Sequence, residues 1–156
     1  MRVYFSIVGG VDLDALGEFA SVHFATPRAR VCVYDNAWDI QPPFEASPAG
    51  PLWGAYEHSQ ICVQVGHSET GAGPVGGWFH FEKTDPQKPF DMRTVAHAAA
   101  AFLNASILYP DPPPGDQSQY ADAAQIEVTP RGVERKVWFS EYGEDGRSKN
   151  AIEERA

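Results

Sequence analysis

Cysteine is scarce in this chain. There are two, Cys32 and Cys62, and they form no CxxC pair. A zinc ribbon or thioredoxin-type motif is therefore excluded. Both lie in stretches that read as strands, where a reduced cysteine acts as a small apolar residue; a disulfide between adjacent strands stays open for an exported protein. No run of 18 apolar residues occurs, so no segment reads as a membrane-crossing helix. The start, Met1-Arg2-Val3-Tyr4-Phe5-Ser6-Ile7-Val8, is apolar but too short for a signal peptide. It runs into Gly9-Gly10 and reads as the first strand of a cytoplasmic protein. Basic residues are also few: 12 against 21 acidic, for a net charge of −9. A surface of that sign repels phosphate, which argues against nucleic acid and anionic membranes as partners.

Motifs for cofactors are missing too. Gly71-Ala72-Gly73-Pro74-Val75-Gly76 has the glycine spacing of a dinucleotide fingerprint, but a strand follows it where a helix would be needed. There is no GK[ST], and no cofactor is expected. The histidines form no HxxxH or HxH pair. His58, His67 and His80 lie in or near neighbouring strands with Glu69 and Glu82 close by, so a His/Glu cluster for a metal or a small active site remains an alternative. Ser68 stands in Gly66-His67-Ser68-Glu69-Thr70-Gly71, where Thr70 occupies the place that a nucleophile elbow gives to glycine. No catalytic residue and no metal ligand is assigned.

What is present is the composition of one folded domain: 156 residues, 43% hydrophobic and 12% aromatic, enough to bury a core without disulfides. Alternation marks strands at residues 3–8, 29–34, 56–65, 78–83, 125–129 and 133–142. Asp12 caps a helix with Leu13, Leu16, Ala20 and Phe24 on its apolar side. Asp91 caps a second, to about residue 107, whose stripe is Val95, Ala98, Ala99 and Phe102, with Phe90 and Val95 placed as a hydrophobic staple. The fold class is α+β: a mostly antiparallel or mixed sheet of about six strands, two helices on one face, in the order β-α-β-β-β-α-β-β. Residues 1–142 form the domain; residues 143–156 read as a charged, flexible tail.

Within the strands, Phe79, Phe81, Val137 and Phe139 point one way. Trp78, His80 and Glu82 point the other, with Lys136, Trp138 and Ser140 and with Gln60, Cys62 and Gln64. If the helices cover the first set, the second is an open aromatic-polar face with the composition of an interface. Two long proline-stiffened connections, residues 39–54 and 109–122, carry Glu45, Trp53, Asp111 and Asp116 and suit approach to a basic surface. The candidate partner-binding residues are thus Trp53, Trp78, His80, Trp138, Glu45, Asp111 and Asp116.

The strand start Val3-Tyr4-Phe5-Ser6-Ile7, the Leu52-Trp53-Gly54 segment and the helix start Asp91-Met92-Arg93-Thr94-Val95 leading to the last hairpin, together with size and acidity, resemble the small acidic immunity proteins of bacterial polymorphic-toxin and type VI secretion systems. The resemblance implies a non-catalytic cytoplasmic protein that binds and blocks a basic toxin or effector domain. A self-associating scaffold domain, a homodimer through the open face, is the other alternative.

Overall fold

The computed structural model describes residues 3–35, 58–68, 73–84, 87, 90–111, 123–142 and 148–155. The expectations for Glu45, Trp53, Glu69 and Asp116 lie outside these residues. The elements run β1 (Phe5–Val8), α1 (Leu13–His23), a 3-10 turn (Arg28–Arg30), β2 (Val31–Asp35), β3 (Ile61–His67), β4 (Val75–Lys83), α2 (Met92–Leu103), β5 (Ile107–Pro110), β6 (Ala123–Val128), β7 (Glu134–Tyr142) and β8 (Ser148–Glu154). All eight strands join one mixed sheet in the order β2-β3-β4-β1-β5-β6-β7-β8. β2 and β3 run parallel, and every other neighbouring pair is antiparallel.

Among the described residues the α+β class with two helices and a mixed sheet is therefore observed, with eight strands in place of about six. The first addition, β5, has a local cause. α2 stops at Leu103 because Asn104 takes the left-handed conformation, φ 52°, which asparagine tolerates better than most residues and which closes helices. The chain is then free to enter β5, and Pro110 is accommodated as its last residue. The other addition, β8, falls in the segment expected to be a charged tail. It pairs antiparallel with β7, Phe139 opposite Ile152 and Trp138 opposite Glu153.

Both helices start as the sequence indicates. The Asp12 side chain accepts from the Ala15 amide at 3.2 Å, and the Asp91 side chain accepts from the Thr94 amide at 2.9 Å. Between the helices and the sheet lies the main core, which includes Phe5, Ile7, Leu16, Phe19, Val63, Phe79, Val95 and Ile107. α2 buries Val95, Ala96, Ala99 and Ala100, a face rotated from the expected stripe. Alanine lets that face sit close to the strands, while Phe102 stays at the rim, 45% exposed, against Phe19. Phe90, expected to staple onto Val95, rests edge-on against Phe5 and Phe81.

A second, smaller core lies on the opposite face, where Val75, Leu108, Val137 and Phe139 are buried with Val8 and Ile152 packed against them. It exists because the sheet curls. β8 stands five places from β4 in the sheet, which in a flat sheet would be roughly 24 Å. Yet Asn150 of β8 accepts from the Val75 amide at 3.1 Å and donates to the Val75 carbonyl at 2.6 Å and to Ser68 Oγ at 2.9 Å. One asparagine thus stitches the far edge strand onto the start of β4.

Candidate partner-binding surface

The register separates residues that alternation alone had grouped. Trp78 on β4 stands opposite Ser6, Ser6 opposite Leu108, Leu108 opposite Glu127, and Glu127 opposite Arg135. Arg135, Val137 and Phe139 therefore share the face of Trp78, and Trp138 lies on the other, the helix side, opposite Ala124. This corrects the single aromatic-polar face expected from the sequence. Val137 and Phe139 belong to the second core and Trp138 does not; the curled sheet needs apolar residues on that side of β7.

Trp138 is 47% exposed. α2 packs over β5 and reaches β6, and β7 continues past its cover, with Lys136 also exposed on this side. The indole does not lie loose. The Arg155 guanidinium sits 5.3 Å from the ring centroid, within cation–π range. The same guanidinium donates to Asp111 Oδ2 at 2.6 Å. Two of the expected residues, Trp138 and Asp111, are thus brought together, through an arginine that sequence reasoning assigned to a tail. Asp111 does not offer its carboxylate outward as expected; it steadies Arg155. Glu153, opposite Trp138 in the pairing, is exposed and paired with Lys149 at 3.3 Å.

Next to this surface, Glu134 ties α2 to the β6–β7 hairpin. Its Oε1 accepts from Arg93 Nε at 2.7 Å, from His97 Nε2 at 2.5 Å and from Tyr109 Oη at 3.1 Å. These donors, His97 and Arg93 first, hold the Glu134 carboxyl down at about 2. Burial, and then the neighbouring carboxylate, push the Tyr109 phenol up to about 12. Near neutrality Glu134 is thus charged and Tyr109 neutral, as a structural clasp requires. Arg93, Thr94, His97 and Ala98 line an open groove of about 450 Å³ beside it. No sequence signal marked this cluster, because its members come from three distant elements.

The other expected residues sit on the opposite face. Trp78 lies flat over Gly66, where an added Cβ would come within 2.1 Å of the indole, and meets Tyr4 edge-on at 5.2 Å between centroids. His80 is fully buried. Its Nε2 faces Gln64 Oε1 at 2.5 Å and Glu82 Oε1 at 3.2 Å; both are acceptors, so this nitrogen carries the hydrogen. Trp78 is half-buried. These two residues form an inner aromatic-polar layer, so the open face expected around them is closed at His80.

The histidines do not converge. His67 is exposed at the end of β3, on the face away from His80, and His58 is exposed ahead of β3. Among the described residues no group of three or more His, Cys, Asp or Glu side chains is close enough to hold a metal ion, and no helix is long and apolar enough to cross a membrane.

Comparison of the chain with protein-family models, with curated proteins and with solved structures finds no match.

Proposed function

We propose that this chain is a binding protein that engages a basic protein partner through the outer, helix-side surface of β7 and β8, with Trp138 as the anchor. The observation that carries the reading is the preset geometry of Trp138: a large ring left 47% exposed, yet backed by Arg155, which is itself fixed by Asp111. An aromatic side chain already held in one place loses little freedom on binding, so its buried area goes largely into affinity. The net charge of −9 supports a basic partner, since an acidic protein draws it in and speeds encounter. Much of that charge sits in the sequence between β2 and β3 and between β5 and β6. The biological role we assign is that of an immunity protein, which neutralises a bacterial toxin or effector by occupying its working surface.

The test is affinity capture with the tagged full chain from a lysate of the source organism, run beside the Trp138→Ala variant at low and high salt. A basic protein retained stoichiometrically by the wild type, weakened by salt and lost from the variant through faster dissociation, is the expected result. Its own toxicity, suppressed on co-expression, completes the assignment. Equal retention by the variant removes Trp138 as anchor. If the pure chain instead forms a dimer by light scattering that Trp138→Asp disrupts, the surface serves self-association.

A further inference from the structure

Cys32 and Cys62 are direct partners in the pairing of β2 with β3. Alternation from Gln64 places both on the face away from the helices, and both are completely buried there. Direct pairing on one face of neighbouring strands brings the two side chains together. Backbones of paired strands lie about 4.8 Å apart, inside the window that a disulfide can span. β2 is also the edge of the sheet, and β3 is its one partner among the described residues. An edge strand held on one side opens more readily than a central one, which gives a small oxidant its route to buried thiols.

We propose that Cys32 and Cys62 form a reversible dithiol–disulfide site that a hydroperoxide oxidises, stapling the edge strand β2 to β3. The roles of the two thiols differ. The hydrogen bond from Cys62 and the charge of Arg28 draw the Cys32 thiol below its usual range, against the opposing effect of burial. That same hydrogen bond, then burial and the nearby Cys32 and Glu82 charges, push Cys62 well up, with Lys83 acting the other way. Cys32 is therefore the attacking thiolate and Cys62 the resolving thiol. In the first step the Cys32 thiolate attacks one peroxide oxygen. An S–O bond forms, the O–O bond breaks, and hydroxide leaves as Cys32 becomes a sulfenic acid. That hydroxide takes the Cys62 proton, giving water. The Cys62 thiolate then attacks the Cys32 sulfur; the S–S bond forms, the S–O bond breaks, and the departing hydroxide takes up the proton that Cys32 lost on ionising. Two thiols have given up two electrons and two protons, and hydrogen peroxide has become two waters.

The experiment treats the reduced full chain with equimolar hydrogen peroxide at neutral pH and follows intact mass, alkylatable thiols after unfolding, and Tm. The expected product has lost the mass of two hydrogens, has no free thiol, and melts roughly 7 to 14 °C higher, as closing a loop of this length predicts. A dithiol reductant restores the starting mass and Tm. Cys62→Ser is expected to stop with one added oxygen on Cys32, trapped by a sulfenic-acid reagent, and with no rise in Tm. Wild-type protein that gains oxygen without losing two hydrogens, or that keeps both thiols alkylatable, overturns the proposal. The wild-type measurement stands alone if the serine variant does not fold.

Discussion

Asn150 contributes more to the fold than its polar side chain and its place near the chain's end suggest. It is 2% exposed, has φ 43°, and spends its amide on both backbone groups of Val75 and on Ser68. Replacing it leaves a buried amide and a buried carbonyl unpaired, each costing about 1–3 kcal/mol. Asn150→Ala is therefore expected to lower stability by about 2–4 kcal/mol in urea unfolding, whereas Asn150→Asp, which keeps the acceptor but sets a carboxylate against the Val75 carbonyl, should fare no better. A loss under about 0.5 kcal/mol, the range of ordinary surface changes, would mean that β8 does not lean on β4 through this residue. Trp138 should behave in the opposite way. Its ring lies outside both cores, so Trp138→Ala is expected to change stability by less than about 1 kcal/mol while weakening the partner complex.

At the scale of elements, α2 is held at its start by the Asp91 cap and along its outer side by the Glu134 clasp. Glu134 binds its proton at about 2 in the folded chain, against an ordinary 4.5. A depressed carboxyl contributes stability that is whole above the unfolded value and drains away as pH falls through the folded one. The difference in urea midpoint between wild type and Glu134→Gln should accordingly be full at pH 6, shrink between about pH 4.5 and 2, and be small at the lower end. Solvent screening limits its size, since the Glu134 side chain is 29% exposed and Arg93 is 67% exposed. A difference that stays flat over that range would show that the three donors do not act on this carboxylate.

For the molecule as a whole, the curl of the sheet is the feature that organises the rest. By folding β6, β7 and β8 over the face opposite the helices it makes the second core around Leu108, Val137 and Phe139. It also turns the other side of β7 outward, with Trp138 upon it. A chain ending at residue 147 would lose Ile152, the Asn150 stitch, the β8 pairing and the Arg155 support of Trp138 together. Its expected behaviour is a steep fall in Tm and binding of a hydrophobic dye to the uncovered second core. Wild-type Tm in that truncation would restore the reading of this segment as a dispensable tail.

The elements written in local chemistry were legible in advance. Asp12 and Asp91 are caps because a short carboxylate reaches the free amides of a first turn. The alternation of Val63 with Gln64, or of Phe79 with His80, follows from a two-residue repeat with one face in a core. Composition set the scale of the domain, and the acidic balance set its electrostatic character. What alternation cannot carry is which face of one strand continues which face of another. That depends on the register across four intervening pairings, and it moved Trp138 to the side opposite Trp78. Nor can it say that a charged segment such as Ser148–Glu154 becomes a strand, since backbone pairing with β7 and a single buried asparagine hold it in place against its composition. The opposition of Cys32 to Cys62, the Glu134 clasp and the Asp111–Arg155–Trp138 set all join residues far apart in the chain. Tertiary structure decided them, because the interactions that make each one form only when the sheet closes.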